Sequence, residues 1–219
     1  MQHREHPDKT YRILEKKAGW VQIELAGSIP DLPILPKSLL AMDLKSQTGY
    51  ADLRAVAEIF REDPGAVARI FRSAACEIEE AEQRPSRLED CISILGLQQC
   101  VAIMTGSEVV RPVVDAAIAR TWDHAVQIAR NCWAIADEAF PVMKPDDAYM
   151  VGLFHELGEF PVILHWKSVE TDNPALLAIG IAEKYGLPGA VSQYFRELRA
   201  PETASVWRRV VDRAHSVNP

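Results

Sequence analysis

Apolar residues recur at i, i+3, i+4 and i+7 through nearly every long segment of this chain, while strict alternation is rare and short. The pattern matches the 3.6-residue turn of a helix and defeats the two-residue repeat of a strand, so it dictates an all-α fold. With 219 residues, 48% of them hydrophobic, the chain has enough apolar material for a sizeable core.

The punctuation between periodic stretches sets the elements. Residues 1–28 form a polar leader with no clear pattern, and Pro30, Pro33 and Pro36 then forbid a helix interior, so an extended segment should lead into a helix after Pro36. Leu53, Val56, Ala57 and Phe60 follow the helical rule behind a cap at Asp52, and the next helix restarts at Asp63 with Pro64 in its first turn. Ser86 and Glu89 are spaced as a capping box, and Gly96 should end that helix in a left-handed conformation before an apolar stretch, Leu97 to Val110. The longest periodic run, Val114 to about Phe140, places Ile118, Trp122, Ala125, Ala129, Cys132, Trp133 and Ala136 on one face. Pro145 opens a helix that carries His155 and closes at Gly158; Asn173-Pro174, Gly186-Leu187-Pro188 and Ala200-Pro201 delimit three more.

Charge and motif content exclude several functions. The net charge of −7, with Lys and Arg scattered, disfavours nucleic acid as the main partner. Cys76, Cys91, Cys100 and Cys132 lack metal or redox spacing and read as small buried apolar residues in a reducing compartment. No signal-peptide core and no run of about 18 apolar residues is present, so a cytoplasmic location without membrane contact is expected. No glycine-rich phosphate loop or nucleophile elbow occurs, and the five tryptophans, scattered along the chain, read as core or interface anchors.

One constellation carries potential chemistry. His124 lies at the edge of the long helix's apolar stripe, His155 follows 31 positions later with Glu156 beside it, and Asp212 comes 57 positions after His155 on the last helix. Two imidazoles and two carboxylates suit a divalent cation (Mn, Fe, Zn or Mg) able to activate water. Glu156 is a methylene longer than the aspartate that such a pair would employ, which displaces its carboxylate from the imidazole on the same turn. A degenerate site serving packing and hydrogen bonding is therefore the preferred reading. His3, His6 and His215 are placed in fraying termini, and His165 at a helix end or surface groove.

Several stretches together resemble the HDOD family, the HD-related output domain of bacterial signalling proteins. They are Leu32-Pro33-Ile34-Leu35-Pro36, Glu62-Asp63-Pro64-Gly65, Cys91-Ile92-Ser93-Ile94-Leu95-Gly96, Trp122-Asp123-His124 and Val151-Gly152-Leu153-Phe154-His155-Glu156-Leu157-Gly158. The likeness covers about residues 29–215. It departs at Arg72-Ser73-Ala74-Ala75, where the family has Asn-Ser-Ala, at Glu156, and at Tyr194-Phe195-Arg196-Glu197, where a His-His pair is often found.

The resemblance implies an N-terminal helical subdomain, about residues 29–112, packed on an HD-like bundle, 113–219. It also implies a regulatory role, generally without catalysis; with no GGDEF, EAL, receiver or kinase pattern in the sequence, a stand-alone module that needs no cofactor and binds a signalling protein or small ligand between the subdomains is expected. The alternative is a metal-dependent phosphohydrolase acting on a nucleotide or other phosphoester through His124, His155, Glu156 and Asp212. Self-association through an apolar cleft stays open.

Overall fold

The computed structural model describes residues 12–15, 21–24, 30–47, 52–78, 80, 83–110, 115–139, 143–166, 173–199 and 206–217. The body is all-α. Ahead of it, β1 (Arg12–Glu15) and β2 (Val21–Glu24) form a two-stranded antiparallel ladder, with Arg12 opposite Glu24 and Glu15 opposite Val21. This hairpin falls in the leader, where the patterning carries no reading.

The helices among the described residues are α1 (Pro36–Gln47), α2 (Leu53–Arg61), α3 (Pro64–Cys76), α4 (Leu88–Thr105), α5 (Ala116–Ala139), α6 (Pro145–Leu153), α7 (Phe160–Ile163), α8 (Pro174–Tyr185), α9 (Gly189–Leu198) and α10 (Val206–Val217). Helices α1 to α4 pack on one another, α5, α6, α9 and α10 form the second group, and α3 reaches across to α5 and α8. The expected boundary at Ala200-Pro201 and the residue Thr203 lie outside the described residues.

Local chemistry explains most starts. Asp52 accepts from the Arg54 amide at 3.2 Å, and Asp63 accepts from the amides of Gly65 and Ala66 at 3.0 and 3.2 Å, capping α2 and α3 as their sequences predict. The capping box expected at Ser86 does not form: Arg87 occupies the cap position without a side-chain bond. Glu89 instead holds the Arg61 guanidinium at 2.8 Å and bonds its own backbone amide, not that of Ser86.

Helix α4 has the length and composition to cross a membrane, yet it is not continuous. Gly96 breaks it with φ 75° and ψ 159°, a positive-φ extended conformation rather than the left-handed helical cap expected, and a Cβ there would meet open space. The glycine is needed for its backbone angle, not for room. Leu88, Cys91, Ile92, Cys100 and Met104 on the two segments enter the core.

The proline-rich strap before α1 is held along its length. Tyr185 donates to the Pro30 carbonyl at 2.7 Å, Arg69 to that of Leu32 at 2.9 Å and the Trp122 indole to that of Pro33 at 3.2 Å. The Leu35 amide donates to Asp63 at 2.6 Å, and Ile34 bridges to Val109 in parallel, bonding to Glu108 and Val110. Arg69 and Arg72 both pair with Asp31, so the arginine at the family's Asn position ties the strap down.

Three cysteines, Cys91, Cys100 and Cys132, are buried as expected, whereas Cys76 is exposed at the end of α3. Trp122 is fully buried and its ring centroid lies 4.9 Å from that of Phe160. Trp133, assigned to the same buried face, is instead 43% exposed. A stripe that holds positions 129, 132 and 136 leaves position 133 rotated toward its edge.

Candidate functional site

The site begins with a close helix crossing. A Cβ on Gly152 would lie 2.7 Å from the Ala129 Cα and 3.0 Å from the Cys132 sulfur, so α6 approaches α5 as closely as it does because position 152 carries no side chain. That approach brings the segment after α6 against the stretch of α5 that holds His124. Helix α6 itself ends at Leu153, not at Gly158, and His155 sits in the run of turns that follows.

The early end exposes carbonyls that the next residues satisfy. The Phe154 amide bonds to Met150, and the His155 Nδ1–H donates to the Gly152 carbonyl at 2.8 Å. A carbonyl only accepts, so this bond fixes the tautomer and leaves the His155 Nε2 as a bare lone pair. The side chain is 6% exposed and that nitrogen has no hydrogen-bond partner. Burial pushes the imidazole pKa down to about 4, aided by the neighbouring rings of His215 and His124, so the ring is neutral at neutral pH.

The third ring comes from α10. Val210, Val211 and Ala214 bury against the bundle, and Asn131 on α5 donates to the Ala214 carbonyl at 3.0 Å. His215, one turn after Val211, shares that inward face and donates Nδ1–H to the Val211 carbonyl at 2.9 Å, which again frees Nε2. The rings of His124, His155 and His215 have centroids 4.9 to 5.3 Å apart. Glu156 adds Oε1 at 3.9 Å from the Nε2 atoms of both His124 and His155.

Of the residues singled out in the sequence, the structure brings His124, His155 and Glu156 together. Asp212 does not join them: its side chain is 67% exposed and pairs with Arg208 at 3.6 Å. The residue missed was His215, whose spacing from Val211 and Ala214 places it on the buried stripe. That signal is present in the chain and was masked by its nearness to the terminus.

Two concavities accompany the cluster. One, of about 660 Å³, opens beside His155 and is lined also by Glu156, Glu159, Asn173, Phe195 and Arg199. The other, of about 350 Å³, lies between α2 on one side and α5 and α6 on the other, lined by Glu58, Arg61, Glu62, Arg130, Trp133, Asp146 and Tyr149. Arg61 pairs with Glu89 at 2.8 Å and Asp146 at 3.4 Å, Arg130 pairs with Glu62 at 2.5 Å, and Tyr149 donates to the Arg61 carbonyl at 2.8 Å. These contacts fix the walls of the second groove and leave the Trp133 indole as its half-open face.

Residues 32–171 match the HDOD domain. The chain belongs to the HDOD family. The matched residues contain His124, His155 and Glu156, while His215 lies beyond them. No curated protein matches the sequence.

Among solved structures, the HDOD chain is similar to the MmoQ response regulator of Methylococcus capsulatus strain Bath, at 15% identity and a TM-score of 0.64, covering 86% of each chain. It is also similar to a virulence factor of Campylobacter jejuni subsp. jejuni, at 14% identity and a TM-score of 0.56, covering 84% of this chain and 76% of that one. Both likenesses concern the fold.

Proposed function

We propose that this HDOD chain is a signalling module that acts by binding a protein partner or small ligand, not by catalysis. The observation that carries the reading is the groove between α2 and the α5–α6 pair, where the two helical groups meet and Trp133 stands 43% exposed among fixed polar walls. An aromatic face between pre-arranged charged groups gives a ligand both stacking area and orientation. Membership in the HDOD family supports a signalling role, and the response regulator among its structural relatives is in keeping with it.

The phosphohydrolase alternative has less support. It would call on Asp212 as a fourth ligand, and that side chain stands 67% exposed and paired with Arg208, while the described lining of the concavity beside His155 offers Arg199 as its guanidinium.

The test compares the full chain with Trp133→Ala in a thermal-shift screen of nucleosides, nucleotides, amino acids and short aromatic peptides. A compound that stabilises the native chain and loses its effect in the variant supports the reading. Phosphoester turnover, with no compound sensitive to Trp133, would overturn it.

A further inference from the structure

We propose that His124, His155, His215 and Glu156 form a four-ligand site for a borderline transition-metal dication such as zinc, joining α10 to the α5–α6 pair. The inference does not rest on the Trp133 groove, which is a separate surface.

Geometry supplies the first argument. One nitrogen from each imidazole lies within 4.8 Å of the other two, and the Glu156 Oε1 is 3.9 Å from two of the rings. Donors around a tetrahedral ion with bonds of about 2.0–2.1 Å sit roughly 3.3–3.4 Å apart, so the three imidazole nitrogens each have to move inward by less than ~1 Å, and Glu156 has to swing in beside them. The His124 and Glu156 side chains, 41% and 35% exposed, have the freedom to make that movement.

Hydrogen-bond capacity supplies the second. The Nδ1–H groups of His155 and His215 are both committed to backbone carbonyls, which is how second-shell bonds orient metal-binding imidazoles. Their Nε2 atoms and the Glu156 carboxylate are then acceptors on neighbouring side chains, and His124 can present a fourth. A single water brings two hydrogens, too few for such a set, whereas a cation satisfies every lone pair at once. The orphaned, buried Nε2 of His155 is the clearest sign that something is owed there.

The donor set also selects the ion. Three neutral imidazoles and one carboxylate offset a dication to within one charge, and nitrogen-rich sets favour zinc, cobalt or nickel over magnesium or calcium, which seek oxygen. His215, not Asp212, is what makes the set nitrogen-rich. Four protein donors fill a tetrahedral shell and leave no position for an activated water, which describes a structural or sensory centre, not a hydrolytic one.

The experiment uses the untagged full chain with His3→Ala and His6→Ala, so that the leader's imidazoles do not compete. The protein is stripped with chelator, then titrated with zinc followed by calorimetry and with cobalt followed by visible absorption. Expected are one ion per chain, a higher melting temperature with zinc, and the intense visible bands of four-coordinate cobalt. His215→Gln should weaken zinc binding by about 10- to 100-fold or more, while Asp212→Asn leaves it unchanged. Should His215→Gln fail to fold by circular dichroism, Glu156→Gln reads the same loss. Substoichiometric binding after zinc loading, six-coordinate cobalt spectra, or equal weakening by Asp212→Asn and His215→Gln would overturn the proposal.

Discussion

Asp63 shows how much one side chain can hold. Its carboxylate accepts from the amides of Leu35, Gly65 and Ala66, closing the start of α3 and anchoring the strap in one gesture. Asp63→Ala strips the cap and leaves buried amides unsatisfied, so it should cost about 2–4 kcal/mol in urea unfolding. The cysteines give a second residue-scale expectation. Burial pushes the thiols of Cys91, Cys100 and Cys132 up to about 12, 11 and 12, so at pH 8 they stay protonated as well as inaccessible. A thiol reagent at that pH should therefore modify Cys76 alone in the native chain, and all four thiols once the protein is denatured.

At the scale of elements, what the sequence made legible and what it hid divide along local and nonlocal physics. Asp52, Asp63-Pro64 and Asn173-Pro174 announce helix starts because capping is a bond between near neighbours. The Ser86 box does not form where Glu89 also holds a distant guanidinium, and no spacing rule registers Arg61 from 28 positions away. The early end of α6 is hidden likewise, since the turns after Leu153 run up against the start of α8, where a Cβ on Gly158 would lie 2.5 Å from the Pro174 carbonyl oxygen. The grouping of His124, His155 and Glu156 is legible in the sequence, whereas on the last helix Asp212 draws attention by its charge and the buried stripe leads to His215. Close approaches are the other thing a sequence conceals. A Cβ at Gly65 would stand 2.1 Å from the Pro33 carbonyl oxygen, so Gly65→Ala should push the strap off α3 and lower stability by about 2–3 kcal/mol, checked by thermal or urea melts.

Across the whole molecule, Arg61 is the most buried of the charged ties between its halves: from α2 it reaches Glu89 at the head of α4 and Asp146 at the head of α6, with its side chain 10% exposed. Arg61→Ala leaves Glu89 and Asp146 only the more exposed Arg87, at 3.9 and 3.3 Å, as a cation, and a loss of about 1–3 kcal/mol is expected. The urea midpoint should fall with an unchanged slope if the two halves still unfold together, and the transition should split if this contact is what couples them. The strap has a consequence for the order of assembly. Its partners lie 28, 37, 89 and 155 positions along the chain, on α3, α5 and α8, so its groups find them only after the helices of both halves are standing. Closing such distant contacts is entropically slow. The proline segment that the chain synthesises early is thus the latch that native folding fastens late.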